Sequence, residues 1–145
     1  MSSSYGSRTP AQFYALVFGA IYALVGIVGF FVSGQSFLNG TADEKLIAFP
    51  VNYMHDIIHL AIGAVLLFAA SRADLAKTMN LVVGVVLLLV AVLGFMGVLT
   101  PTLINDHGVA DDFLHLATGL LAVYFGTAGA RGGVTTATGP AGTGA

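Results

Sequence analysis

Cysteine is absent from the 145-residue chain, so disulfides, thiolate metal sites, iron–sulfur clusters and haem attachment through Cys-x-x-Cys-His are excluded. Charge is almost as scarce. Only 8% of residues are Asp, Glu, Lys or Arg, far too few to cover the surface of a water-soluble domain of this size. The net charge of -2 leaves no basic patch for nucleic acid. Alternation of period two is missing, which argues against a β-barrel. A nucleophile–base arrangement and a phosphate loop are also missing, and this points away from an enzyme. What fills the chain is apolar: 57% hydrophobic residues, with mean hydropathy +0.90.

The apolar residues gather into four segments, near Gln12–Val32, Pro50–Ala70, Asn80–Leu99 and Val109–Gly129. Each is about twenty residues, matching a hydrocarbon layer of ~30 Å at ~1.5 Å rise per residue. The first run is longer than a signal-peptide core, and no small-x-small cleavage site clearly follows it. The spacing predicts an all-α, four-helix transmembrane bundle. Residues 12–131 form that domain, residues 1–11 a flexible arm with Pro10, and residues 132–145 a disordered Gly/Thr/Ala/Pro tail. Asn39-Gly40 marks a turn in the long loop Ser33–Phe49. Phe37, Leu38, Leu46, Ile47 and Phe49 would let that loop lie over the membrane surface. Pro50 suits a first helical position, and Asn105 or Asp106 a cap for the fourth helix.

Arg8, Arg72, Lys77 and Arg131 fall on one side of a four-span arrangement, and only Lys45 on the other. The positive-inside rule then places a multi-pass protein in the inner (plasma) membrane with both termini cytoplasmic. Asp43, Glu44, Asp106 and Asp111 lie on the outer side.

Near that outer side a short pattern occurs twice. Asp56-Ile-Ile-His59-Leu-Ala-Ile-Gly63 matches Asp112-Phe-Leu-His115-Leu-Ala-Thr-Gly119 at an offset of 56. Leu16, Gly19, Leu24, Gly29 and Phe30 match Leu81, Gly84, Leu89, Gly94 and Phe95 at an offset of 65. These matches predict two similar helical hairpins in parallel tandem repeat, related by an axis along the membrane normal. Asp56, His59, Gly63 and Ala70 form one helical stripe, and Asp112, His115, Gly119 and Gly126 another. The small residues Gly63, Gly119 and Gly126 favour close helix packing.

Ionisable groups inside apolar runs are costly, so each is a functional candidate. His55 and His59 share a face, as do Asp111 and His115, and together they make an N3O set for zinc, copper or iron. A di-iron centre would need acids on segments one and three, which have none. Haem b with His59 and His115 as axial ligands is a further arrangement, although only Lys45 is available near its propionates. The leading reading is plainer: Asp56 and Asp112, at the positive ends of their helices, bond to histidines in a polar clamp joining the halves. His107 reads as a solvated loop residue. Tyr14, Tyr22, Tyr53, Phe13 and Phe49 read as aromatic belt or packing residues.

The run Asn52-x-x-His55-x-x-x-His59-x-x-x-Gly63 and the second run Asp112-x-x-His115-x-x-x-Gly119 resemble the bacterial integral membrane family catalogued as domain of unknown function 4383. The resemblance covers roughly residues 10–130 and implies a four-span membrane protein, with no activity to transfer. The function expected is a small membrane accessory or scaffold protein, within the lipid bilayer and in a larger membrane complex or homo-oligomer. Its Asp/His cluster is a candidate metal or haem site. The alternative is a proton-coupled small-solute carrier or channel, against which stands the lack of polar residues below Thr118.

Overall fold

A computed structural model describes residues 8–33, 37, 45–47, 49–99 and 109–127. They form helices α1 (Pro10–Val32), α2 (Tyr53–Ala69), α3 (Ala73–Phe95) and α4 (Val109–Thr127), with a two-residue strand pair, β1 (Lys45–Leu46) and β2 (Phe49–Pro50), between α1 and α2. The expectations for Leu38, Asn39-Gly40, Asp43, Glu44, Asn105, Asp106, His107, Arg131 and the tail fall outside the described residues.

Local chemistry sets the helix ends. Thr9 and Gln12 cap α1 reciprocally: the Thr9 hydroxyl accepts from the Gln12 N–H at 3.3 Å, and Gln12 Oε1 accepts from the Thr9 N–H at 3.1 Å. Pro10 fills the first turn, where no helical N–H bond is lost. Pro50 does not start α2, contrary to the sequence expectation. It pairs opposite Lys45 in the strand pair, and Asn52 is the N-cap, its side chain accepting from the His55 N–H at 2.8 Å. An Asn cap satisfies an orphan donor, whereas proline only tolerates the position.

The third segment also moves. The helix begins at Ala73 rather than Asn80, so Asp74 and Lys77 lie on it. Hydropathy detects only the apolar length of a helix, and its polar first turn reads as loop. An acid is therefore present on α3, at the end opposite the histidines, in an exposed pair with Arg72 at 3.2 Å. At its other end α3 stops at Phe95, short of Leu99. Gly97 takes φ +69°, its N–H bonds to Gly94 O at 2.8 Å, and the Val98 N–H bonds to Leu93 O at 3.1 Å. This left-handed closure favours glycine.

α1 packs chiefly on α2, and α3 on α4, with thinner contacts between the two hairpins. Glycines make the close approach within each. Added Cβ atoms at Gly19 and Gly63 would press on Leu67 and Ala23, and at Gly84 and Gly126 on Val123 and Leu81. Such small-residue contacts hold helices together where no hydrophobic effect separates helix from lipid. The core is built of small and aliphatic residues, including Ala11, Ala15, Leu66, Ala76 and Leu87. Large apolar side chains point outward on all four helices, for example Phe31 (86% exposed), Phe68 (73%), Leu89 (57%) and Leu120 (56%). α1, α3 and α4 are long and apolar enough to cross a membrane; α2, at 17 residues, is apolar and shorter. The chain is a helical bundle of membrane type.

Candidate functional site

The start of α2 at Tyr53 brings its histidine to the depth of the other. His59 and His115 each lie six residues beyond the first residue of their helices, about 9 Å along the axis. Counted from Pro50, His59 would lie roughly 13 Å deep, and the corrected boundary removes that mismatch.

His55, His59 and His115 are 4%, 7% and 4% exposed, so all three imidazoles are buried. His55 Nε2 and His59 Nε2 are 2.7 Å apart, so one must donate to the other. The His115 ring centroid lies 6.3 Å from that of His55 and 6.2 Å from that of His59. One ligand atom from each ring can be chosen so that all lie within 4.8 Å of one another. Asp111, also buried, places Oδ2 3.6 Å from His115 Nδ1. The four residues His55, His59, Asp111 and His115 thus meet at one end of the bundle. Ligands held ~2.0 Å from a tetrahedral ion stand about 3.3 Å apart, between the shortest and longest of these separations.

Asp56 and Asp112 face elsewhere. Asp56 is fully buried and accepts a hydrogen bond from the Ser33 hydroxyl at the end of α1. An added Cβ at Gly29 would overlap its carboxylate, and one at Gly94 would overlap that of Asp112. Each acid therefore fills a notch in the neighbouring helix of its own hairpin. The expected Asp56–His59 bond is replaced by Ser33, because a glycine notch and a hydroxyl donor sit directly opposite the carboxylate. Gly119, the third expected packing glycine, faces Leu88 and the Gly84 carbonyl of α3.

For two of the tyrosines read as belt or packing residues, the structure selects packing. Tyr14 and Tyr22 are only 2% and 6% exposed, so neither belongs to an aromatic belt. The Tyr14 hydroxyl donates to Thr118 O at 3.0 Å, and Tyr22 Oη and Thr118 Oγ1 share a hydrogen bond at 3.1 Å. Tyr22 also meets the edge of His59, with centroids 5.1 Å apart. The available signal was spacing: Ala15, Gly19, Tyr22, Gly26 and Gly29 form one buried stripe of α1.

A cavity of about 290 Å³ opens on one side of the imidazoles. Tyr22, His55, His59, Asp111 and Thr118 line it, but the surface presented to the cavity is almost wholly apolar; Leu46, Phe49 and Val51 help to roof it. A second cavity of about 70 Å³ lies on the other side, against His55, His59 and His115, with Ile62, Leu87 and Val90 among its apolar walls.

A family model described as "Domain of unknown function (DUF4383)" matches residues 12–128. No curated protein and no solved structure matches the chain significantly. The match spans most of the chain, including every residue of the cluster, and the chain belongs to that family.

Proposed function

We propose that this DUF4383 protein is a four-span plasma-membrane protein that holds one transition-metal ion between His55, His59 and His115, with Asp111 beside or within the ligand set. The observation that carries the reading is the convergence of three buried imidazoles, their ligand atoms within 4.8 Å, inside a lipid-facing bundle. Burying polar groups without full hydrogen bonding is expensive. His59 Nδ1 is buried without a hydrogen-bond partner among the described residues. Such an atom costs about 1–3 kcal/mol, which a cation bound at that nitrogen would offset. Nitrogen donors with one carboxylate suit zinc first, then copper or iron. Haem b fits poorly. A porphyrin supplies four equatorial nitrogens and admits two axial imidazoles, so a third converging ring has no place.

The four-span topology is supported by the outward Ile57, Ile58, Val65 and Phe68, which give α2 the same lipid-type face as its longer neighbours. The two hairpins are copies of one unit in this reading. Their matching glycine–aspartate notches, Gly29 with Asp56 and Gly94 with Asp112, support it. The histidine end faces outward, because the described cations Arg8, Arg72 and Lys77 gather at the other end. An active periplasmic alkaline phosphatase fused at residue 145 would overturn this orientation.

A proton-coupled carrier gains less support. Gln12 and Asn80, deeper in the bundle, donate to the Ala70 and Ala11 carbonyls at 3.0 Å each. Those bonds tie helices together and do not line a path.

The test is metal content after purification in mild detergent, from cells supplied with zinc, copper and iron. One equivalent of metal is expected, lost in His59→Ala and His115→Ala while helicity persists. A structural zinc site worth ~10–16 kcal/mol over four ligands gives about 3 kcal/mol per ligand, roughly two orders of magnitude in affinity. Metal-free wild-type protein, or undiminished metal in both variants, would refute the reading.

A further inference from the structure

The larger cavity differs from a packing defect in three respects. It reaches the candidate metal ligands His55, His59 and Asp111. It opens between α1 and α4, whose mutual contact is slight, past Ile21 (47% exposed) and Leu114 (43% exposed), on a face that would meet lipid. Its mouth is roofed by the strand pair, where Ile47 holds φ +64° while Leu46 and Phe49 turn onto the cavity. A β-branched residue at positive φ is strained.

We propose that this cavity binds a single-chain lipid carboxylate of medium length, which enters sideways from the bilayer and places its headgroup on the bound metal. The inference rests on the metal reading above. A divalent ion among three neutral imidazoles and one carboxylate leaves one positive charge, which a monoanionic head neutralises. The apolar walls exclude a wholly polar solute such as free phosphate. Taking each heavy atom at roughly the ~30 Å³ that a water occupies in its liquid, 290 Å³ holds about ten atoms of chain and head. A two-chain phospholipid with a bulky head exceeds that space, and its head would have to leave the interface for a site about 9 Å along the helices. A fatty acid of about eight to ten carbons, about ten to twelve heavy atoms with its two oxygens, meets both limits.

Cobalt(II)-loaded protein in non-ionic detergent provides the test, because a His-rich site gives cobalt visible ligand-field bands. Decanoate is expected to shift those bands saturably. Acetate, with the head but not the chain, should need at least ~10-fold higher concentration, since each buried methylene adds to binding. Decanol, with the chain but not the charge, should leave the bands unmoved. Leu114→Trp and Ile21→Trp fill the mouth without touching a ligand. Each should keep the cobalt spectrum and its response to acetate, and lose the response to decanoate. Two variants are named so that one misfolded protein does not decide the matter. Protein that takes up no cobalt would defeat the metal reading itself. Protein that takes up cobalt, with bands indifferent to decanoate or equally sensitive to acetate, would overturn the lipid proposal alone. An unaltered decanoate response in both tryptophan variants would do the same.

Discussion

The two cavities that flank the imidazoles are built in part from matching helix positions, yet one, which the strand pair also lines, is about 290 Å³ and the other about 70 Å³. Moving along the chain by 65 residues from α1 to α3 carries Ile21 to Val86 and Val25 to Val90. Moving by 56 from α4 back to α2 carries Leu114 to Ile58. These pairs keep their apolar character. The same shifts carry Tyr22 to Leu87 and Thr118 to Ile62, and here the character changes. The larger cavity holds the hydrogen-bonded Tyr22–Thr118 pair, and the smaller has two aliphatic side chains instead. The packing glycines Gly19, Gly29 and Gly63 recur as Gly84, Gly94 and Gly119, whereas Gly26 is replaced by Ala91 and the cavity-lining Tyr22 and Thr118 by Leu87 and Ile62. Helix association needs the glycines in both hairpins; ligand selection needs only one cavity to be shaped for it.

The most consequential divergence lies in the cluster. The residue four before His59 is His55, and the residue four before His115 is Asp111. A carboxylate beside a ligating imidazole orients the ring and raises its basicity, and removing such a partner costs 10–100-fold in metal affinity as a rule of thumb, or ~1.4–2.7 kcal/mol. Asp111→Asn should weaken metal binding by about that factor, measured by competition with a chelator. Asp111→His, which gives α4 the residue that α2 carries, should retain one equivalent. Unchanged affinity in Asp111→Asn would remove the carboxylate from the site.

The shared glycine–aspartate notches make the next comparison. Gly29→Ala and Gly94→Ala each drive a methyl group into a buried carboxylate, Asp56 or Asp112. Overpacking of this kind costs typically ~1–3 kcal/mol. Thermal unfolding in mild detergent should show similar losses for both. Adding Asp56→Ala to Gly29→Ala should recover part of the cost, because residues in contact are not additive. A large loss at one glycine and none at the other would break the equivalence of the hairpins.

Much of this architecture could be read from the chain. Long apolar runs announced the helices, and the repeated Asp-x-x-His-Leu-Ala-x-Gly pattern drew attention to both histidine motifs. Helix ends were less legible where local bonding overruled composition. Asn52 took the cap that Pro50 was expected to pass over, and the polar first turn of α3 looked like loop. The direction of Asp56 was hidden as well. Helical spacing puts it near the face of His59, and only the notch at Gly29 and the hydroxyl of Ser33 turn it to its own hairpin. The Tyr22–Thr118 pairing beside the larger cavity joins residues 96 apart in the chain. Spacing within one helix cannot reveal such a pair, although the small-residue stripe containing Tyr22 pointed inward.

The Tyr22–Thr118 bond should produce the smallest effect, and its size tests whether it serves stability or the cavity. Thr118 Oγ1 also donates to the Leu114 carbonyl at 2.8 Å, so Tyr22→Phe does not strand that hydroxyl. The single change should cost no more than the ~0.5–1.5 kcal/mol net worth of an ordinary hydrogen bond. Thr118→Val alone leaves the buried Tyr22 hydroxyl seeking a partner, and should cost more, up to ~1–3 kcal/mol. Replacing both with groups of the same shape removes the two polar atoms together, which can be nearly neutral. Tyr22→Phe with Thr118→Val should therefore unfold within about 0.5 kcal/mol of the unaltered protein, less than the sum of the single changes. The doubly apolar wall then approaches that of the smaller cavity, where Leu87 and Ile62 stand. Metal retention should be unchanged, since neither side chain is a ligand. Strictly additive losses in thermal unfolding would mean that the pair is not energetically coupled, and that each side chain is held by other contacts.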